Sequence, residues 1–180
     1  MFDHEMSSHT IKEFLTRAGF VGDRYASLEA ASPEDMDTLA EWIDDLGGLA
    51  IAAHVDSKNG LMTFRVGDER HRVASSRSIR AFEITDPSKR VLYQYEGHTD
   101  IDRNIPCIMN SDCRSTSASG HHLDCIGDSF TNLKMESVSV YGIKQSLYDP
   151  RLRVKLPNDP IVEPTSMIHG MYVNGGFLDG

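Results

Sequence analysis

The chain has 180 residues, of which 39% are hydrophobic and 25% are charged, a composition typical of a soluble globular domain rather than a disordered segment. Its formal net charge of −9 disfavours contact with a nucleic-acid backbone, except through a local basic patch or metal ions. No apolar run is long enough to span a membrane and the amino terminus lacks a leader pattern, so we expect a cytoplasmic protein.

Two predicted helices precede the first predicted strand. Apolar residues recur at helical spacing over residues 11–18. A second helix is predicted to begin with Ser32 as its N-cap and Pro33 at its first helical position, and to end at Gly47-Gly48. A helix that leads directly into a buried strand is typical of α/β folds.

Two short apolar runs end in polar residues that can bind a metal. Residues 49–53 form an unbroken apolar run that stops at His54, and residues 105–109 form another that stops before Asn110-Ser111-Asp112. Because ligands gather at the carboxyl ends of parallel strands, we expect His54 and Asp112 to share one rim. An imidazole and a carboxylate together suit a divalent metal, whereas the alternative for His54 is a hydrogen-bonded rim residue.

The remaining elements are predicted from local patterns. Residues 60–78 are polar and basic, which indicates a solvated loop that can meet an anionic substrate. A strand is predicted over residues 79–85, with Phe82 and Ile84 inward and Glu83 near its end. The other predictions are a helix over 87–97, a long loop over 114–128, a strand over 130–135, a helix over 138–147, a linker over 151–164, and a strand or hairpin over 167–178.

The residues at the two strand ends resemble those of a known family. Ala52-Ala53-His54-Val55-Asp56, followed by Asn110-Ser111-Asp112, resembles the third and fourth metal-binding motifs of the PHP (polymerase and histidinol phosphatase) domain. Segments 130–135, 142–147 and 149–154 resemble, in the same order, the PHP segment in front of large AAA-like, SMC-related ATPases. Residues 175–180 resemble the first strand of that ATPase.

The resemblance implies a fold, a metal site and a reaction. PHP domains resemble a distorted TIM-like barrel, so residues 1–156 are expected to form part of such a barrel, and residues 157–180 a linker and the first strand of an ATPase domain. The family holds two or three divalent metals and hydrolyses phosphoesters with a metal-bound hydroxide, which leaves the metal (Mn, Zn, Fe or Mg) and the substrate (a nucleic acid or a small phosphate ester) open for this chain. By this resemblance His54 and Asp112 are metal ligands, and Asp56 orients an imidazole or a water.

Some family features are missing or altered. The first motif, His-x-His, and the second motif, with further His and Glu ligands, do not occur in the chain; if it is a segment of a longer protein, we expect those ligands upstream of Met1. The fourth motif has Arg114 in place of a histidine, and arginine clamps a phosphate rather than binding a metal. His121 or His122 is a candidate substitute ligand.

Two other functions stay open from the sequence. A catalytically silent PHP-like scaffold would couple an ATPase to a partner, and the replaced ligand and missing motifs favour it. A structural zinc site would use Cys113, His121, His122 and Cys125, which are close in sequence and of the right chemical type. The third cysteine, Cys107, makes the number odd, and no C-x-x-C pair occurs, which argues against a disulfide framework.

Overall fold

The structure is a computed structural model that describes residues 1–26, 30–64, 67–94, 103–113 and 123–160. The helices are α1 (Ser8–Arg17), α2 (Met36–Asp45), α3 (Leu61–Phe64), α4 (Asp68–Ser75), α5 (Arg90–Gln94), α6 (Val140–Tyr148) and α7 (Pro150–Arg153), with short 3-10 helices at Gly22–Ala26, Pro87–Lys89 and Leu123–Cys125. The strands are β1 (Ala50–Ala52), β2 (Ile79–Glu83), β3 (Cys107–Ile108), β4 (Asn132–Leu133) and β5 (Val154–Lys155). In this part of the chain no helix has the length and apolar character needed to cross a membrane.

Three strands form a parallel sheet in the order β1-β2-β3. Ala52 lies opposite Phe82, and Phe82 lies opposite Cys107. The connection from β1 to β2 contains α3 and α4, and the connection from β2 to β3 contains α5. The strands predicted at residues 49–53, 79–85 and 105–109 are thus confirmed, and the fold is α/β. Among the described strands the sheet stays open and does not close into a barrel.

Helices and a second sheet cover the two faces of the parallel sheet. Consecutive strand residues alternate between two core clusters: Phe82 belongs to a cluster with residues of α2, α3 and α4, whereas Ala81 belongs to the other. In the second cluster Ala81 packs with Leu147 of α6 and Val154 of β5, which pairs antiparallel with β4. Burial on both faces explains why residues 49–53 and 105–109, which contain β1 and β3, are continuous apolar runs.

The prediction of a solvated loop over residues 60–78 is wrong. Helices α3 and α4 occupy most of this stretch, and Leu61, Met62, Val73 and Ala74 are buried in the first core cluster. The two apolar residues of α4, Val73 and Ala74, are adjacent in sequence and do not recur at helical spacing. Because charged residues surround this apolar pair, the average polarity of residues 60–78 is that of a loop, and the helix is not evident from the sequence.

The second helix begins later than predicted. Its first residue is Met36, and Asp35 occupies the N-cap position. The hydroxyl of Ser32, the predicted N-cap, instead accepts a hydrogen bond from the Glu34 backbone N–H at 3.1 Å. Ser32 therefore stabilises a turn in front of the helix, a role that short hydroxyl side chains also favour.

The predicted linker over residues 151–164 is wrong at its start. Residues 151–155 belong to α7 and β5, and Val154 is fully buried. Asp159 accepts a hydrogen bond from the Leu156 backbone N–H at 2.8 Å and pairs with Arg90, which ties this segment to α5. The predicted strand or hairpin over 167–178 and the ATPase-like residues 175–180 lie outside the described residues.

Candidate metal centre at the carboxyl edge of the sheet

One imidazole and two carboxylates meet at the carboxyl edge of the parallel sheet. His54 follows β1, Glu83 is the last residue of β2, and Asp112 follows β3. His54 Nδ1 lies 3.3 Å from Glu83 Oε1, and His54 Nε2 lies 3.4 Å from Asp112 Oδ2. The structure therefore brings His54 and Asp112 together at one rim, as the strand pattern predicts.

The two ring nitrogens of His54 face different carboxylates. A metal bound to one ring nitrogen can reach the carboxylate on that side only, so Glu83 and Asp112 cannot both join His54 on one ion. The Glu83 side chain is 7% exposed, against 30% for His54 and 24% for Asp112. The Nε2 side of the ring is thus the open side. A buried carboxylate at Nδ1 fixes the tautomer and orientation of a metal-binding histidine.

His54 and Asp112 share an uncommon backbone conformation. Their φ angles are 43° and 48°, and no other non-glycine residue in the described segments has a positive φ. Such conformations are strained and cluster at functional sites. Hydrogen bonds at or next to the two residues stabilise these backbone conformations. The Val55 N–H donates to the Glu83 carbonyl at 3.0 Å, and the Asp112 N–H donates to Asn110 Oδ1 at 2.8 Å.

Gly60 allows the loop that carries His54 to fold tightly. A Cβ atom added at Gly60 would overlap the His54 carbonyl oxygen and lie 2.5 Å from the carbonyl carbon and oxygen of Val55. These are backbone atoms of the site loop, and they cannot move without moving the imidazole. Glycine is therefore required here by close approach.

Replacing Gly60 with alanine is expected to lower the free energy of unfolding by about 1–3 kcal/mol, the usual cost of overpacking. Urea denaturation followed by circular dichroism measures the change. Asn59→Ala, at an exposed neighbouring position, is the control and should change stability by less than about 0.5 kcal/mol. Equal stability of the Gly60→Ala variant and the wild type would contradict the close approach.

Asp56 binds the residues that follow β2. Its side chain is fully buried, and its Oδ1 accepts hydrogen bonds from the Thr85 N–H at 2.8 Å and the Thr85 hydroxyl at 3.1 Å. Its Oδ2 accepts from the Asp86 N–H at 2.9 Å, and Lys89 Nζ lies 3.9 Å away. Asp56 therefore fixes the end of β2. The expected orientation of an imidazole or water by Asp56 has no support in these contacts.

His54 Nε2 and Asp112 Oδ2 are the pair of donors that fits one divalent metal. When two donor atoms each lie about 2.1 Å from the same ion, they are roughly 3.0 Å apart in octahedral coordination and roughly 3.4 Å apart in tetrahedral coordination. Their observed separation of 3.4 Å falls in this range. Within the described residues, no group of three or more His, Cys, Asp or Glu side chains is placed to hold one ion. The two donors are thus a partial ligand set.

Cys113 and Cys125, the two cysteines of the alternative zinc site, lie on segments that hydrogen bonds connect. Partial burial raises the pKa of the Cys113 thiol, and repulsion from Cys125 raises it further. Ser111 connects the segment of Cys113 with the segment that follows Cys125: its hydroxyl donates to the Ser129 carbonyl at 2.9 Å and accepts from the Gly127 N–H at 2.9 Å. This arrangement provides two thiols, half of the set that a tetrahedral zinc site needs.

Three residues of the predicted site lie outside the described residues. They are Arg114, predicted to contact a phosphate, and His121 and His122, predicted as substitute metal ligands. Their roles stay predictions.

Glu83 is the site residue that the sequence analysis did not assign. The sequence pattern predicts that Glu83 lies near the end of a strand, but it indicates no chemical role for this residue. The signal was its position, since it ends β2 as His54 and Asp112 follow β1 and β3. β2 is the central strand of the three, so a carboxylate at its carboxyl end lies at the same edge as the residues that follow β1 and β3.

Comparison with protein-family models, curated proteins and solved structures finds no match for this chain. The PHP resemblance therefore rests on the motifs quoted above.

Proposed function

We propose that this chain is a PHP-like, metal-dependent phosphoesterase module, and that its parallel sheet is part of a distorted TIM-like barrel. The observation that supports this function most is the position of His54 between Glu83 and Asp112 at the carboxyl edge. This edge is where barrels and open parallel sheets hold metals and substrates. The order of the residues along the chain also agrees with the third and fourth motifs of the family.

Each residue has a distinct part in this proposal. His54 Nε2 and Asp112 Oδ2 hold a divalent ion, whose chemistry is to lower the pKa of a bound water and to neutralise charge on phosphoryl oxygens. Glu83 accepts a hydrogen bond from His54 Nδ1–H, which leaves Nε2 as the metal-binding nitrogen and keeps the ring turned toward Asp112. Arg114 contacts a phosphate of the substrate. His121 or His122 completes the ligand set.

The substrate class is a phosphate ester or a nucleic acid. Because the net charge is −9, contact with a nucleic acid would rely on metal ions or on a local basic patch. A cytoplasmic location belongs to the same proposal. A linked or associated ATPase domain also belongs to it, because that domain comes with the family that the motifs resemble.

A catalytically silent scaffold is the second candidate function. The specific observation in its favour is the partial ligand set, since the described residues supply two donors rather than three. Such a module would retain the fold and the imidazole–carboxylate contacts without hydrolysis.

Metal loading and hydrolysis by the whole chain test the proposal. The protein is dialysed with Mn²⁺ or Zn²⁺, bound metal is quantified by elemental analysis, and hydrolysis of bis(p-nitrophenyl) phosphate is followed. We expect stoichiometric metal, and hydrolysis that EDTA abolishes and Mn²⁺ restores. The Cys125→Ser variant is the control for the zinc alternative and should retain the metal.

The other outcomes separate the alternatives. Bound metal without hydrolysis would favour the scaffold. Metal lost only in Cys125→Ser would favour the structural zinc site. Absence of bound metal in every sample would contradict the proposal.

A further inference from the structure

We propose that the substrate of the metal centre is a small phosphate ester with an apolar alcohol part, and that a cavity beside the parallel sheet holds that part. The cavity has a volume of about 330 Å³, and we call it the apolar cavity. Ile51 of β1 and Ile108 of β3 line it from the sheet, and Leu133 of β4 and Ile143 of α6 line it from the layer that covers the sheet. The proposal rests on the proposed phosphoesterase function and narrows its substrate.

The apolar cavity adjoins the candidate metal centre. Asn110 and Ser111, which follow β3, line the cavity, and Asp112 is the next residue in the chain. Asn110 Oδ1 also accepts a hydrogen bond from the Asp112 N–H at 2.8 Å. Two consecutive residues span at most about 7 Å, so an ester whose phosphate lies at Asp112 can place its alcohol part in the cavity.

The aliphatic residues that line the cavity are incompletely buried. Ile51, Ile108, Leu133 and Ile143 pack against the second core cluster, yet all four are only partly buried. Protein interiors normally leave few voids larger than a water molecule. An apolar group in the cavity would remove the exposed surface of these side chains from water, and this burial favours binding.

The polar groups of the cavity wall already have partners within the protein. The Thr131 hydroxyl donates to the Met109 carbonyl and accepts from the Met109 N–H, both at 2.8 Å. The Ser111 hydroxyl is bonded to Ser129 and Gly127. None of the lining residues that the structure describes is charged. A nucleobase would leave its own N–H and carbonyl groups without partners here, so the cavity favours an apolar group over a nucleotide.

Ser129 differs from the other polar residues of the cavity wall. Its hydroxyl is buried and has no hydrogen-bond partner among the residues described. Its carbonyl accepts from the Ser111 hydroxyl at 2.9 Å, so Ser129 lies on the side of the cavity nearest Asp112. A buried hydroxyl without a partner is costly, and an oxygen of the ligand would satisfy it. An apolar group next to an oxygen is what an ester of phosphate with an apolar alcohol supplies.

The volume of the cavity limits the size of the apolar group. An apolar cavity of about 150 Å³ lined by Leu, Ile and Phe side chains is enough to bind benzene. The volume of about 330 Å³ therefore has room for one aromatic ring with a substituent, or for a branched alkyl group. Aryl and branched alkyl phosphate esters are thus the expected substrates.

NMR titrations of the zinc-loaded whole chain with two phosphonates test the proposal. Phenylphosphonate and methylphosphonate have the same anionic group and differ in the size of the apolar group. We expect both to bind, phenylphosphonate with a Kd lower by about tenfold or more, and phenylphosphonate to shift the methyl resonances of Ile51, Ile108 and Ile143. Benzyl alcohol, added to the metal-free chain in EDTA, should shift the same resonances because the cavity needs no metal.

A variant that fills the cavity gives a second test. Ile143→Phe should reduce the difference in Kd between the two phosphonates to about threefold or less, without changing the Kd of methylphosphonate. Val138→Phe is the matched control, since it adds the same ring at a position that is 96% exposed and outside the described cavity lining. Circular dichroism checks that both variants fold, and the methyl shifts of the wild type decide if Ile143→Phe does not.

The other outcomes separate the proposal from the proposed function. Equal Kd values for the two phosphonates, or methyl resonances that phenylphosphonate does not shift, would overturn the substrate assignment and leave the metal centre in place. An unchanged preference in folded Ile143→Phe would also overturn it. Binding of benzyl alcohol without binding of either phosphonate would overturn the proposed function, and the substrate assignment with it.

Discussion

Replacing Asp112 with asparagine is expected to weaken divalent metal binding at least about 100-fold, and to abolish hydrolysis of a model phosphodiester. Asparagine tolerates the left-handed backbone found at this position, so the variant should keep the loop while losing the negative charge. Removal of a residue that only orients a metal ligand lowers metal affinity by about 10–100-fold, and removal of a residue that binds the ion directly should lower it further. Competition with a chromogenic chelator measures the affinity.

The Glu83→Gln variant provides a graded comparison for Asp112→Asn. Its amide keeps the size of the side chain but accepts a weaker hydrogen bond from His54 Nδ1–H, so metal affinity should fall by about 10–100-fold. Glu136→Gln, at an exposed position away from the site, should have no effect. An unchanged affinity in Asp112→Asn would remove the carboxylate from the metal site, and an unchanged affinity in Glu83→Gln would remove the positioning role.

Replacing Asp56 with alanine is expected to lower the free energy of unfolding by about 3–5 kcal/mol, because its carboxylate is buried and satisfies the backbone N–H groups of Thr85 and Asp86. Removal of the carboxylate leaves these two donors without their acceptor and takes away the negative charge 3.9 Å from Lys89 Nζ. Urea denaturation at neutral pH measures the loss.

Asp124→Ala is the matched control for Asp56→Ala, since Asp124 is exposed, and its replacement should change stability by less than about 0.5 kcal/mol. A loss below 1 kcal/mol in Asp56→Ala would contradict the structural role assigned to this carboxylate. A loss of metal binding without a loss of stability would support instead the role in orienting an imidazole or a water.

The sheet was predictable because its strands are buried on both faces. Leu49 and Ile105 lie in short apolar runs, and each run is too short for a helix. The polar residues after these runs, His54 and Asp112, then mark the rim. Their contact with each other follows from the side-by-side pairing of β1, β2 and β3, which the order of elements along the chain does not specify.

The remaining features were hidden for physical reasons. Val73 and Ala74 are the only apolar residues in the sequence of α4, so the apolar periodicity needed to identify a helix is absent. Glu83 lies between two inward residues, and alternation places it on the opposite face, but that face is also covered. Asp56 follows His54 closely in sequence, yet its partners lie after β2, and no local pattern indicates a bond over that separation.

The parallel order of β1, β2 and β3 has a consequence for folding kinetics. Each strand pair forms only after a long intervening segment has been closed into a loop, and such pairings are intrinsically slow. His54, Glu83 and Asp112 come from three different strand ends, so no partly folded segment contains the whole set. A metal bound there would slow unfolding and leave the folding rate nearly unchanged. The appearance of metal affinity during refolding would therefore mark the moment at which the third strand joins the sheet.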